Sequence, residues 1–353
     1  MFFRKFKNKR ISSVKFISLG LKGIFLTSLI ICTTNFLVDP FYEWSIGKTI
    51  NFKRKDYDER IQKTNYLANI NSNYNALLLG NSRSTYLDVR KFDLGVNIFN
   101  YSVNAMSIYE YDQLIHNFVQ LTGEEPKVIL MGIDPHNLKG DKIEKLKIIL
   151  DESTSKIKKI KNLLSIDMFR FSLETIAKTI QVELQLKDRK QRYYDNQLIK
   201  GNERQNIVSN EKYIKIENED ITYNVDFTLL EEYRKLKNKY PNSKFIIYFL
   251  PFHGELITKW ETDLNFDEKN RKFISEIINI FGEIYYFNYR NEYNSSFTNY
   301  YDTYHFYPYF GDIIINNMNK LYLDKKSNLG YLLNKENYNS FILNKKYLNV
   351  INQ

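Results

Sequence analysis

The sequence predicts an α/β protein: a three-layer parallel sheet preceded by a transmembrane helix and interrupted by a helical insertion. Three observations carry this. Short apolar runs alternate with segments of helical periodicity over residues 74–140, and again over 227–323. A mainly apolar stretch over 16–38 follows a basic N-terminus. Between the two α/β halves, residues 139–226 alternate charges with Leu and Ile at helical spacing. That is the pattern of solvated helices inserted into a domain, with a lid or a partner-docking surface as the purpose they would serve.

The chain has 353 residues, 43% of them hydrophobic and 26% charged, so most of it is expected to fold. The formal charge of +10 first suggests an anionic partner. However, Arg4, Lys5, Lys7, Lys9, Arg10 and Lys15 all precede the apolar stretch. No other Lys/Arg block is interleaved with aromatics, so nucleic-acid binding is not expected. Cys32 is the single cysteine, which rules out an intramolecular disulfide and a Cys-based metal cluster.

Taken in order, residues 1–15 form a basic, cytoplasmic N-terminus. Residues 16–38, at about 1.5 Å per residue, are long enough to cross a bilayer. The positive-inside tendency places everything beyond 39 outside the cell. No Ala-x-Ala-like cleavage site follows, and Ile31 precedes Cys32 where a lipid-modified cysteine would need a small residue. An uncleaved signal anchor is therefore expected. Residues 39–73 are a juxtamembrane linker with aromatics at 41, 42 and 44 for the membrane interface and a helix leading into the domain. Strands are expected at 74–79, 97–100, 128–131, 245–250 and 284–287. Helices are expected at 86–94, 108–121, 227–239, 266–281 and 309–323. Residues 324–353 read as a tail or a small extra element.

The first strand ends in Gly80-Asn81-Ser82, where Gly80 permits a sharp turn that exposes Ser82 at the sheet edge. A serine becomes a nucleophile when a histidine takes its proton and a carboxylate orients that histidine. Asp302 and His305 stand three apart, so within one helical turn their side chains can meet. Ser82, His305 and Asp302 are the candidate catalytic triad. Gly-Asn-Ser alone is a common turn, and Asp-x-x-His alone is a frequent surface pair; the combination is what points to chemistry. His253, after the fourth strand, could line the same cleft or be structural, and His136 has the same standing. His116 lies inside a helix on the surface. Arg83 either binds an anionic substrate group or pairs with a nearby carboxylate, the latter preferred. Four scattered histidines do not suggest a zinc site.

These blocks resemble the SGNH/GDSL hydrolase superfamily, especially its membrane-anchored members in cell-surface polysaccharide acylation. The resemblance covers residues 74–140 and 244–320 and leaves the insertion unmatched. It implies a flavodoxin-like sheet with Gly80-Asn81-Ser82 standing where the family has Gly-Asp-Ser. Asn100-Tyr101-Ser102-Val103-Asn104-Ala105 stands where the family has Asn-x-Gly-x-x-Gly, with both glycines replaced. By this resemblance the backbone N–H groups of Ser82 and Ala105 line an oxyanion hole. In the third block the family has Gly-x-Asn-Asp, and this chain has Gly132-Ile133-Asp134. An ionised Asp134 accepts hydrogen bonds and cannot donate one, and one lost oxyanion donor costs on the order of 100- to 1000-fold in rate. Asn104 and Asn137 are the candidate replacements.

The resemblance implies a serine acyl-esterase or O-acyltransferase acting on a cell-envelope polysaccharide, with no metal or soluble cofactor. A membrane-bound acyl-donor protein is the implied partner, because no acyl-coenzyme A pool is expected outside the cell. Aromatics at 16% of the chain, 28 of them Tyr, suit stacking on sugars, although most must be structural. The rival expectation is a catalytically degenerate module that binds glycan or scaffolds a surface-polymer export or modification complex.

Overall fold

A computed structural model describes residues 13–44, 52, 54, 57–69, 73–138, 144–153, 155–184, 193–194, 197–198, 225–262 and 265–343. The core is one six-stranded sheet in the order β2-β1-β3-β4-β5-β6. Its strands are β1 (Ala76–Leu79), β2 (Ile98–Asn100), β3 (Val128–Gly132), β4 (Lys244–Phe249), β5 (Glu283–Tyr286) and β6 (Tyr331–Asn334). The first five run parallel and β6 pairs antiparallel with β5. β1 reads Ala-Leu-Leu-Leu because it is buried on both faces, as central parallel strands are. Alternate side chains feed two separate cores: Leu77, Leu79, Ile129 and Met131 on one face, Ala76, Leu78, Val128 and Leu130 on the other.

Helices cover both faces. On the first lie α3 (Ile108–Thr122) and, later in the chain, α7 (Leu230–Lys239), α8 (Gly254–Glu261) and α9 (Phe266–Phe281). On the second lies α10 (Pro308–Asp324), through Phe310, Ile314, Ile315, Met318 and Leu321. α3 starts at a Ser107–Glu110 capping box and stops at Gly123, whose φ of 81° suits glycine. The order places a topological switch between β1 and β3, where neighbouring connections leave in opposite directions and a crevice opens at the strands' C-terminal ends.

Several expectations are corrected. The helix expected at 86–94 is two 3-10 turns, Ser84–Tyr86 and Val89–Lys91, because the Asp88 side chain accepts from the Arg90 N–H and restarts the chain between them. Of the two readings left open for 324–353, a tail or a small extra element, the described residues give the second: they supply β6, and Tyr338 beyond it is buried against the core. α8 had no counterpart in the sequence reading, since its eight residues hold barely one repeat of apolar spacing, Leu256, Ile257 and Trp260. The residues at 39–44 are not an aromatic girdle facing lipid. Phe41 and Tyr42 are buried against Tyr57, Phe171 and Tyr66 within the protein.

The N-terminal helix α1 (Ser13–Val38) is long and apolar enough to cross a membrane, and its apolar window is unburied by the rest of the chain. α2 (Glu59–Asn69) connects it to the sheet. The inserted helices are not simply solvated. α4 (Glu144–Ser153) packs on α2 and α3, while α5 (Lys156–Leu163) and α6 (Ile166–Glu183) pack on α1. The rest of the insertion beyond residue 184 lies largely outside the described residues.

Candidate active site

The chain turns sharply after β1 because there is room for nothing larger than glycine. A Cβ on Gly80 would sit 2.8 Å from the Cβ of Ser84, and one on Gly132 would sit 2.7 Å from the Tyr248 ring. Ser84 Oγ fills the space between the two glycines and accepts from Tyr248 Oη at 2.9 Å. Asn100, fully buried at the end of β2, donates to the Ser84 and Leu87 carbonyls at 3.3 and 3.4 Å. The segment carrying Ser82 is thus held from β2 on one side and from β4, across β3, on the other.

Ser82 then stands partly exposed, with its Oγ 2.8 Å from His305 Nε2. His305 Nδ1 lies 2.9 and 3.0 Å from the two Asp302 carboxylate oxygens. A carboxylate only accepts, so Nδ1 carries the proton and Nε2 is left to accept from the Ser82 hydroxyl. Residues 301–304 are a bend rather than the helical turn expected from the spacing. The pairing is achieved by Asp302 Oδ1, which accepts the Tyr304 and His305 N–H groups at 2.8 and 2.7 Å. An antiparallel bridge between Tyr300 and Phe306 closes the loop. Burial would push the Asp302 carboxyl up, but the hydrogen bond and charge of His305 and the two backbone N–H groups outweigh it and hold the carboxyl below its ordinary range.

Asp134, at the C-terminal end of β3, is 1% exposed and accepts from Asn81 Nδ2 at 2.5 Å and from the Arg83 guanidinium. Arg83 also donates to the Leu250 carbonyl at 2.7 Å and stacks 3.7 Å above the Phe252 ring. Arg83 therefore pairs with a carboxylate inside the protein, tying the ends of β1, β3 and β4 together.

The segment carrying Ala105 is held from outside the sheet. The Asn104 N–H donates to Glu59 Oε2 at 2.5 Å, and its carbonyl accepts from Arg60 at 3.1 Å. Arg60 is itself gripped by both oxygens of Glu110 at 2.5 and 2.8 Å. Ala105 adopts a left-handed φ of 48°, the conformation a glycine would take without strain. Among the described residues no backbone acceptor takes the N–H of Ser82 or Ala105.

His253 is buried and caps α8, its Nδ1 accepting from the Glu255 N–H at 3.2 Å. Its ring stacks on Phe297 at 5.0 Å and meets Tyr300 edge-on, and its backbone N–H donates to the Thr303 carbonyl at 3.0 Å. Burial lowers its pKa to about 4. It supports the Asp302–His305 loop from behind. His116 is exposed on α3, and the side chains of His136 and Asn137 lie outside the described residues. The sequence reading missed Glu59 and Arg60, since a carboxylate and a guanidinium on a polar linker carry no signal. The Ser107-x-x-Glu110 spacing is a capping-box signal that the sequence reading did not use, and nothing in it points to Glu110 as the Arg60 partner. No group of three or more His, Cys, Asp or Glu able to hold a metal ion occurs among the described residues. No protein-family model matches the chain, and no curated protein matches it significantly.

Proposed function

We propose that this is a membrane-anchored serine acyl-esterase or O-acyltransferase of the SGNH kind, acting outside the cell on a cell-envelope polysaccharide. In this reading α1 spans the bilayer with its N-terminus in the cytoplasm. The observation that carries the chemistry is the relay from Ser82 Oγ through His305 to Asp302, at 2.8 and 2.9 Å, on the C-terminal edge of a parallel sheet at its switch point.

The Ser82 oxygen attacks an acyl carbonyl carbon as His305 Nε2 takes its proton, and Asp302 stabilises the imidazolium. The backbone N–H groups of Ser82 and Ala105 receive the oxyanion. His305 returns the proton to the leaving alcohol, and the acyl group passes from Ser82 to a sugar hydroxyl or to water. A membrane-bound acyl-donor protein is the partner this chemistry requires if the acceptor is a sugar.

One observation favours the second reading, a degenerate glycan-binding or scaffolding module. Asp134 stands where the resembled family has its oxyanion-donating asparagine, and it is engaged with Arg83 and Asn81. The test uses the full-length chain in detergent with a fluorophosphonate probe and p-nitrophenyl acetate. Labelling and turnover lost in both Ser82→Ala and His305→Ala support the enzyme. A folded parent chain that neither labels nor turns over, with its cellular phenotype retained in Ser82→Ala, supports the scaffold.

A further inference from the structure

We infer that the apolar faces of α5 and α6 are a second membrane contact, lying in the headgroup region of an anionic phospholipid bilayer. This rests on the reading of α1 as the membrane span. Ile157, Ile160 and Leu164 recur at i, i+3 and i+7 along α5 and its C-terminal residue, and Ile166, Leu173 and Ile180 at i, i+7 and i+14 along α6. At ~100° per residue each set forms one stripe. All six are 48–74% exposed. The other face of α6 is packed, with Ser172 and Thr175 fully buried, and that of α5 is half-buried. Apolar stripes of this kind facing water are a liability that folded domains avoid unless something covers them.

Three features point to lipid as the cover. The first is position. Asn35 Nδ2, one turn before the end of α1, donates to the carbonyls of Asn162, Leu163 and Ser165 at 3.3, 3.0 and 3.1 Å, and its Oδ1 accepts from Ser172 at 3.0 Å. Leu164 and Ile166 flank those carbonyls in sequence, so they sit within about a helical turn, roughly 5 Å, of the level at which α1 leaves the bilayer. The second is continuity, because α5 and α6 pack on α1, whose own surface, including Phe36 and Leu37, is also exposed and apolar. The third is charge. Exposed Lys156 and Lys161 border the α5 stripe on its two sides, while on α6 the bordering Arg170 pairs with Glu174 at 3.7 Å, so the basic margin is that of α5. An apolar stripe with basic margins is the pattern of a helix lying in the plane of an anionic interface. Asp167, Glu174 and Lys178 on α6 exclude a position in the hydrocarbon core.

The consequence is that the domain does not swing freely on its anchor. α5 and α6 hold α2 at a set height, and α2 carries the Glu59 and Arg60 contacts to the Ala105 segment. The test labels the full-length Cys32→Ser chain with a nitroxide at Phe25→Cys, Ile160→Cys, Leu173→Cys or Lys320→Cys, one at a time. Lys320 is exposed on α10, on the opposite face of the sheet. Each is reconstituted in phosphatidylcholine vesicles with and without phosphatidylglycerol, and collision rates with oxygen and a water-soluble nickel chelate are read by EPR. The expected result is an oxygen-to-nickel ratio at 160 and 173 between those at 25 and 320, rising with phosphatidylglycerol. A ratio at 160 and 173 equal to that at 320, with 25 oxygen-rich, overturns this inference and leaves the anchor standing. A nickel-exposed label at 25 overturns the anchor itself. Labels at 160 and 173 shielded from both reagents and broadened by dipolar coupling overturn lipid in favour of a second copy.

Discussion

Asp39 and Asp302 are set in place by the same local device and titrate in opposite directions. Each accepts two backbone N–H groups from residues just after it: Asp39 from Glu43 and Trp44 at 2.7 and 3.0 Å, Asp302 from Tyr304 and His305 at 2.8 and 2.7 Å. Asp39, at the end of α1, is 2% exposed, and burial pushes its carboxyl up to about 7 despite those N–H groups and the charge of Arg54. Asp302 is half-buried, and the imidazole against it turns the balance the other way. Two backbone donors are therefore not enough to hold a fully buried carboxyl in its ordinary range, whereas for the half-buried Asp302 the same two donors and a contacting imidazole N–H are. Arg54 lies close to Asp39 but donates to the Val38 and Asp39 carbonyls, at 3.0 and 2.9 Å. It caps the helix instead of pairing with the carboxylate.

The comparison is broken most sharply at the candidate site. Asp302→Asn keeps an acceptor for the two N–H groups but presents an amide to His305 Nδ1, favouring the wrong tautomer. Ester turnover should fall by about 10⁴-fold with the thermal midpoint little changed; a loss below tenfold removes Asp302 from the relay. Asp134 offers the next test, because its partner is a contacting guanidinium. Asp134→Asn strands a buried charge on Arg83 and should cost about 3–5 kcal/mol in denaturant unfolding.

The two pH windows should then run in opposite senses. Asp39 has a folded pKa near 7, above its unfolded value, so native protein retains a proton that the unfolded chain has released. Its contribution to stability is fully present below about pH 4 and is lost as pH rises to 7. The stability of Asp39→Asn relative to the parent should therefore improve by about 2–4 kcal/mol from pH 4 to pH 8. His253, neutral in the fold with a pKa of about 4, behaves in reverse. Stability is lost as pH falls from 6.5 to 4, and His253→Gln should gain on the parent by about 1–3 kcal/mol over that range. The smallest effect belongs to Ala105. Ala105→Gly relieves a left-handed φ and should stabilise by about 0.5–1 kcal/mol in thermal unfolding, provided the added unfolded-state entropy does not cancel it.

Much of the α/β core was legible in the chain, because period and burial agree there. α9 begins at Phe266 and ends at Phe281 as its periodicity requires, and α3 carries both its capping box and its terminal glycine. The apolar runs of β1, β3 and β4 have no other solution than a sheet covered on both faces. The long apolar N-terminal helix was equally plain, since length and hydropathy are properties of the sequence alone. The positions of Ser82, Asp302 and His305 could be nominated from their residue types and from the strand ending at Gly80.

Tertiary structure decided what no local pattern encodes. β6 is a strand because an edge of β5 is available to pair with it, not because Tyr331–Asn334 alternates strongly. Asp302 meets His305 through a bend closed by backbone N–H groups, where spacing alone suggested a helical turn. Arg83 could have faced a ligand, and it is the convergence of three strand ends that turns it onto Asp134. The sequence by itself determined most of the core elements and their order, which depend on near neighbours along the chain. The partners of its charged and polar side chains, Asp39 with backbone N–H groups and Asp302 with an imidazole besides, depended on which segments the fold brought within about 3 Å of each other.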